Sequence, residues 1–109
     1  MANTNVTELN DKTFDAFIAD TKVPVLVDFW ASWCAPCRAL TPIIEQIATE
    51  NADKFAIAKV NVDEAPEVAS KFNIRGIPAL IYFKNGTKQE HTTDLSSKAE
   101  IVKKLTDLL

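Results

Sequence analysis

Residues 23–38 read Val23-Pro24-Val25-Leu26-Val27-Asp28-Phe29-Trp30-Ala31-Ser32-Trp33-Cys34-Ala35-Pro36-Cys37-Arg38. The first eight form a near-continuous apolar run broken by one charge, Asp28. Such a run suits a central strand covered on both faces. Two cysteines follow at once. From Ala35 to about Asn51 the apolar positions Leu40, Ile43, Ile44 and Ile47 recur at helical spacing, with Pro42 expected to kink the helix. Phe55-Ala56-Ile57-Ala58-Lys59-Val60-Asn61-Val62 then reads as a second strand. Strand, helix, strand predicts two parallel strands joined by a right-handed crossover.

The flanks extend this unit. Asn5 to Leu9 is a short candidate strand, and Asn10 or Asp11 is a candidate cap for a helix carrying Phe14, Phe17 and Ile18. A shorter helix is expected over about Glu64 to Phe72. Ala79 to Phe83 and Lys88 to Thr93 flank Asn85-Gly86, a strong hairpin signal. Ser96 is placed as the cap of a last helix with the apolar stripe Ile101, Val102, Leu105 and Leu108. The expected fold is α/β: a mixed sheet, its parallel part first and an antiparallel hairpin last, covered by helices. With no repeat, linker or low-complexity stretch, residues 1–109 read as one domain.

Twelve basic and fifteen acidic residues give a net charge of −3, and no basic cluster reverses it. That argues against a nucleic-acid or membrane-surface role. No apolar run is long enough to span a bilayer. The polar start, Met1 to Asn10, has no basic or apolar region of a signal peptide, so for a complete product the expected compartment is the cytoplasm.

Only two cysteines occur, three positions apart. So short a loop makes a poor structural staple. Zinc is the main rival, but a structural zinc wants four Cys or His ligands, and the chain has two Cys and one His. Disulfide exchange needs a thiolate to attack and a second thiol to release the mixed disulfide. Cysteines at i and i+3 opening a helix meet that need. Cys34 would lie among unsatisfied N–H groups at the positive end of the helix, with a lowered pKa. Cys37 would lie one turn inside. Cys34 is therefore the expected exposed nucleophile and Cys37 the resolving thiol. Pro36 is tolerated at a helix start.

Asp28, in an apolar strand that ends beside this helix, would have a raised pKa if buried and could act as a general acid or base. Lys59, in the paired strand, could neutralise it. Asp28 could instead face water at a sheet edge. Pro78, at a strand start, is compatible with either a cis or a trans bond. His91 is expected to face solvent, and Trp33 to form a rim beside Cys34.

The segments Val27 to Arg38, Lys59-Val60-Asn61-Val62-Asp63, Asn73-Ile74-Arg75-Gly76-Ile77-Pro78-Ala79-Leu80 and Phe83-Lys84-Asn85-Gly86 together resemble the thioredoxin family, from about Val6 to Leu108. The resemblance implies a five-stranded mixed sheet flanked by four helices, and general protein disulfide reduction. It implies Cys34 as the attacking and Cys37 as the resolving cysteine, Asp28 as the buried acid–base carboxylate with Lys59 beside it, and Pro78 as a cis-proline facing the disulfide. Substrate would lie across Trp33, Ala35, Pro36, Ile77, Thr92 and Thr93. The implied partners are disulfide-bearing proteins and a thioredoxin reductase, dependent on NADPH or ferredoxin. No bound cofactor or metal is implied, only the Cys34–Cys37 disulfide, in a monomer. Ala35, Arg38, Asn73 and the run Thr92-Thr93-Asp94 depart from the family's usual residues. The remaining rivals are a disulfide oxidase or isomerase and a non-catalytic docking subunit.

Overall fold

The computed structural model describes residues 5–93 and 96–109. In chain order the elements are β1 (Val6–Leu9), α1 (Phe14–Asp20), β2 (Val25–Trp30), α2 (Ala35–Glu50), β3 (Ala56–Asn61), α3 (Pro66–Lys71), β4 (Ala79–Lys84), β5 (Thr87–Thr92) and α4 (Lys98–Thr106). The sheet order is β1-β3-β2-β4-β5. β1 and β2 both run parallel to β3, while β4 is antiparallel to β2 and to β5. This is the expected five-stranded mixed sheet with four helices.

The central strands are apolar on both sides because helices cover both sides. Leu26, Ile57, Leu80 and Tyr82 pack with Leu40, Ile44 and Ile47 of α2 and Ile101 and Leu105 of α4. The alternate residues Val25, Val27, Phe29, Val60, Ile81 and Phe83 pack on the other face with Phe14 and Ile18 of α1 and Val68 of α3. Phe14, Phe72 and Phe83 meet there in tilted and edge-on contacts at 5.4–5.9 Å between ring centres. α2 runs on through Pro42 as one helix.

Asn85 and Gly86, at φ 52° and 80°, turn the hairpin between β4 and β5. Both central residues are left-handed, as a two-residue turn of this kind requires.

Three local expectations are corrected. The last helix is capped by Ser97, not Ser96: Ser97 Oγ accepts from Glu100 N, and Glu100 returns a bond to Ser97 N. Such a box needs a glutamate or glutamine three places on, and Glu100 stands three places after Ser97 whereas Ala99 stands three after Ser96. At α1 neither Asn10 nor Asp11 is the cap. The cap position is Thr13, with no side-chain bond into the helix. Asn10 instead folds the preceding turn, accepting from Lys12 N and Thr13 N. Asp11 reaches across the chain to α3, where its carboxylate accepts from Val68 N at 2.9 Å and Glu67 N at 3.3 Å. The cap position of α3 is Ala65, which has no side-chain acceptor, so the open N–H groups of that helix are met by Asp11. Finally, His91 does not face open solvent. It lies on β5 opposite Ile81, half-buried, with Nε2 enclosed. Burial lowers its pKa, assisted by Lys88.

Candidate active site

The chain turns from the end of β2 into α2 through Ala31 to Cys34. Cys34 N–H donates to the Ala31 carbonyl, which tightens that turn. Cys34 is the N-cap of α2, in an extended conformation, and Ala35, Pro36 and Cys37 form the first helical turn. Pro36 sits where a missing N–H costs nothing. Cys34 and Cys37 are joined in a disulfide with 5.3 Å between their Cα atoms. The Cys37 N–H points at Cys34 Sγ, 3.2 Å away. A sulfur at the N-cap therefore takes the place of a capping oxygen and accepts one of the helix's open donors. The same geometry favours negative charge on that sulfur.

Exposure does not separate the two cysteines as expected. Cys34 is 4% exposed and Cys37 2%. In the disulfide both sulfurs are held in a small apolar cluster with Ala31, against Trp30, Val62 and Ile77. What distinguishes them is position on the helix: Cys34 is at the cap and Cys37 three residues inside.

Around the disulfide, Ala35, Pro36 and Arg38 are exposed, and Trp33 is 67% exposed. The Trp33 indole is not loose. Its Nε1 donates to Asp63 Oδ2 at 2.9 Å. Asp63 is itself aimed by the end of β3, where Asn61 Oδ1 accepts from Asp63 N. The Arg38 guanidinium donates to the Ser32 carbonyl at 2.8 Å. Ile77 packs on the disulfide cluster, and the Ile77–Pro78 bond is cis.

The Trp33–Asp63 bond has no counterpart in the reading of the sequence. The signal was present: Asp63 lies just past the end of the strand parallel to the one that leads into the cysteines. Thr92 is the last residue of β5, half-buried and opposite Leu80, with Oγ1 enclosed and without a partner among the described residues. Thr93 follows it and is exposed. Asp94 lies outside the described residues.

Asp28 lies beneath this turn on β2. The central position of β2 excludes the sheet-edge alternative, and Asp28 is 3% exposed. The registers place Glu8, Lys59, Asp28, Leu80 and Thr92 in one row across the five strands. Burial raises the Asp28 pKa to about 7, with Lys59 pulling it down and Glu8 pushing it up. A cavity of about 220 Å³ opens at Asp28, lined also by Trp30, Thr41, Glu45 and Lys59. Two enclosed polar atoms without a protein partner, Asp28 Oδ1 and Trp30 Nε1, belong to that lining. The space is polar and large enough for water. Thr41, one turn beyond Cys37, donates to the Cys37 carbonyl and so carries the cavity wall towards the second cysteine.

No group of three or more metal-ligating side chains occurs among the described residues. No described helix is long and apolar enough to cross a membrane.

The thioredoxin family model matches residues 5–107. A thioredoxin from Alicyclobacillus acidocaldarius subsp. acidocaldarius is 46% identical over 101 residues, covering 93% of this chain and 95% of its own length. A thioredoxin from Rickettsia bellii is 45% identical over 94 residues, covering 86% and 90%. A chloroplastic M-type thioredoxin from Spinacia oleracea is 46% identical over 85 residues, covering 78% of this chain and 47% of its own, so the match spans about half of that relative.

Proposed function

The chain belongs to the thioredoxin family of thiol–disulfide oxidoreductases, and we propose that it works, as one domain, as a general reductase of protein disulfides with Cys34 attacking and Cys37 resolving. The observation that carries the assignment of roles is the bond from Cys37 N–H to Cys34 Sγ at the start of α2. A thiolate at Cys34 would keep that donor and the helix dipole behind it, and Cys37 has neither.

The Cys34 thiolate attacks one sulfur of a substrate disulfide. A Cys34–substrate S–S bond forms, the substrate bond breaks, and the other substrate sulfur leaves as a thiolate. Cys37 then gives its proton to the Asp28 carboxylate through water in the adjoining cavity, and its sulfur attacks Cys34 Sγ. The Cys34–Cys37 disulfide forms and the second substrate thiolate leaves. Two electrons have passed from the chain to the substrate, and Asp28 holds one proton to return to solvent or to a leaving thiolate. An Asp28 pKa of about 7 supports this role, since such a carboxylate both takes and releases a proton near neutrality. Lys59 tempers that pKa, and Pro78, which follows the Ile77 packed on the disulfide cluster, is the residue that would align the substrate backbone.

Trp33, Ala35, Pro36 and Ile77 form the docking surface, with Thr93 at its margin. Electrons come from a separate thioredoxin reductase, dependent on NADPH or ferredoxin, and the working form is a cytoplasmic monomer. The M-type relatives are chloroplastic by name, whereas the bacterial relatives carry no compartment in theirs. Reduction of insulin disulfides, driven by NADPH and a bacterial thioredoxin reductase, tests the reading. Catalysis by the parent chain and its loss in a Cys34→Ser, Cys37→Ser double variant are expected. Equal rates with and without the cysteines would end it.

A further inference from the structure

Beside the disulfide lies a groove of about 380 Å³ lined by Trp33, Val62, Ile74, Arg75, Gly76 and Ile77. Arg75 is the only charged residue in that lining. It is also held in place: its Nε donates to Asn73 Oδ1 at 3.0 Å. Asn73 has φ 55°, a left-handed conformation that asparagine accepts better than most residues. The clamp depends on the Asn73 side chain, whose Oδ1 is the acceptor.

With Nε engaged, the guanidinium still has the four N–H groups of its two terminal nitrogens, the end suited to a carboxylate. Ion pairs among the described residues include Lys71–Asp15, Lys98–Glu50, Lys103–Asp107 and Lys104–Glu90. None uses Arg75. Trp33 is tied to the Asp63 carboxylate, which already accepts from the indole. The groove thus carries a cation, Arg75, held by Asn73 and without an ion-pair partner among the described residues, and an indole, Trp33, bonded to an anion outside the lining.

We infer that Arg75, positioned by Asn73, makes this groove select extended substrate segments that carry a carboxylate beside the reacting cysteine. The inference rests on the groove being the docking site of the disulfide reductase proposed above. Fixing the guanidinium beforehand removes part of the ordering cost that a long flexible side chain would otherwise meet on binding. Because the site is open to solvent, the gain is a matter of a few-fold in rate and is sensitive to salt.

Two synthetic peptides test this, each closed by a Cys–Cys disulfide and differing only in Glu or Lys next to one cysteine. The rate constant for oxidation of the reduced protein is measured with each at low and high salt. The parent should favour the Glu peptide by about fivefold at low salt, and the ratio should shrink at about 0.5 M salt, where charges are screened within a few Å. Arg75→Gln should bring the ratio close to one. Asn73→Gly, which keeps the left-handed backbone without strain, should lower it part of the way. A ratio near one in the parent, or an unchanged ratio in Arg75→Gln, overturns the inference while leaving the reductase intact. Failure to reduce either peptide overturns the reading of the cysteines and this inference with it.

Discussion

Lys59 stands beside Asp28 in the parallel ladder, yet its ammonium lies over the Trp30 ring, 5.1 Å from the ring centre, and forms no ion pair with the carboxylate. The cation is near enough to temper the Asp28 charge and too far to neutralise it. Glu8, on the far side of Lys59 in the same row, pulls the balance the other way. Asp28 is thus a buried carboxylate left deliberately between its two protonation states.

That balance has a cost in stability which depends on pH. Asp28 has its pKa raised from 3.8 to about 7, so the folded chain binds this proton more tightly than the unfolded chain. Its contribution is fully favourable below about pH 4, is lost as pH rises towards 7, and is gone above it. The full span corresponds to the order of 4 kcal/mol. Asp28→Asn should therefore be more stable than the parent by about 2–4 kcal/mol at pH 8 and nearly equal to it at pH 4. Urea unfolding at the two pH values measures the gap. An equal gap at both would show that Asp28 does not titrate in this range.

The same substitution should slow the second step of the reaction. In Asp28→Asn, Cys37 has no buried base, and breakdown of the mixed disulfide should fall at least about tenfold at pH 7. The inflection near pH 7 in the parent's pH–rate profile should disappear. Stopped-flow fluorescence of Trp30 and Trp33 follows the step. A variant that keeps the parent's profile would remove Asp28 from the proton path.

Unequal cysteines give a simpler test. Cys37→Ser should accumulate a stable mixed disulfide through Cys34, seen as an added mass in non-reducing electrophoresis or mass spectrometry. Cys34→Ser should capture almost none, because Cys37 lacks the cap position that favours a thiolate. Similar capture by the two variants would reverse or erase the assignment.

Asp11 is a structural residue far from the chemistry. Asp11→Ala leaves the first turn of α3 without its acceptor and should destabilise the fold by about 1 kcal/mol. Asp11→Asn retains an acceptor and should lose less. Denaturant midpoints of the three proteins order them, and an unchanged midpoint in Asp11→Ala would mean that water replaces the bond at no cost.

The parts of the fold visible in the sequence were those that one segment specifies by itself. The apolar run around Asp28 announced a strand buried on both faces, and Asn85-Gly86 announced a hairpin. Cys34 to Cys37 marked a helix start from the spacing of two residues. What stayed hidden depended on residues distant in the chain. Asp11 meets α3 across 56 positions, and only the packing of α1 beside α3 brings it there. The burial of His91 depends on β5 lying against β4 with its Ile81 partner, while its local polar sequence suggests an open arm. The pairing of Trp33 with Asp63 spans 30 positions. Of the candidate site, residue identities were legible, but the exposure of Cys34 was not, because the disulfide draws both sulfurs into one apolar cluster.

The two threonines after His91 have separate consequences. Thr92 is in the strand, and its Oγ1 is enclosed without a partner among the described residues. Replacing that hydroxyl by a methyl of the same shape removes an unmet polar group, so Thr92→Val should stabilise the fold by about 1 kcal/mol. Its effect on docking should be small, since the residue is half-buried on the sheet and its Oγ1 is enclosed. Thr93 is exposed just beyond the strand, and its β-branched side chain limits how closely another backbone can approach. Thr93→Gly should raise kcat/KM with a thioredoxin reductase by about two- to fivefold. The Cys34–Cys37 reduction potential should stay unchanged, because neither threonine is part of the cysteine pair. Steady-state kinetics and equilibration with glutathione, applied to each single variant, separate the two effects. A gain in kcat/KM from Thr92→Val alone would assign the docking effect to the strand end, and a shifted potential in either variant would mean that this edge of the sheet tunes the disulfide itself.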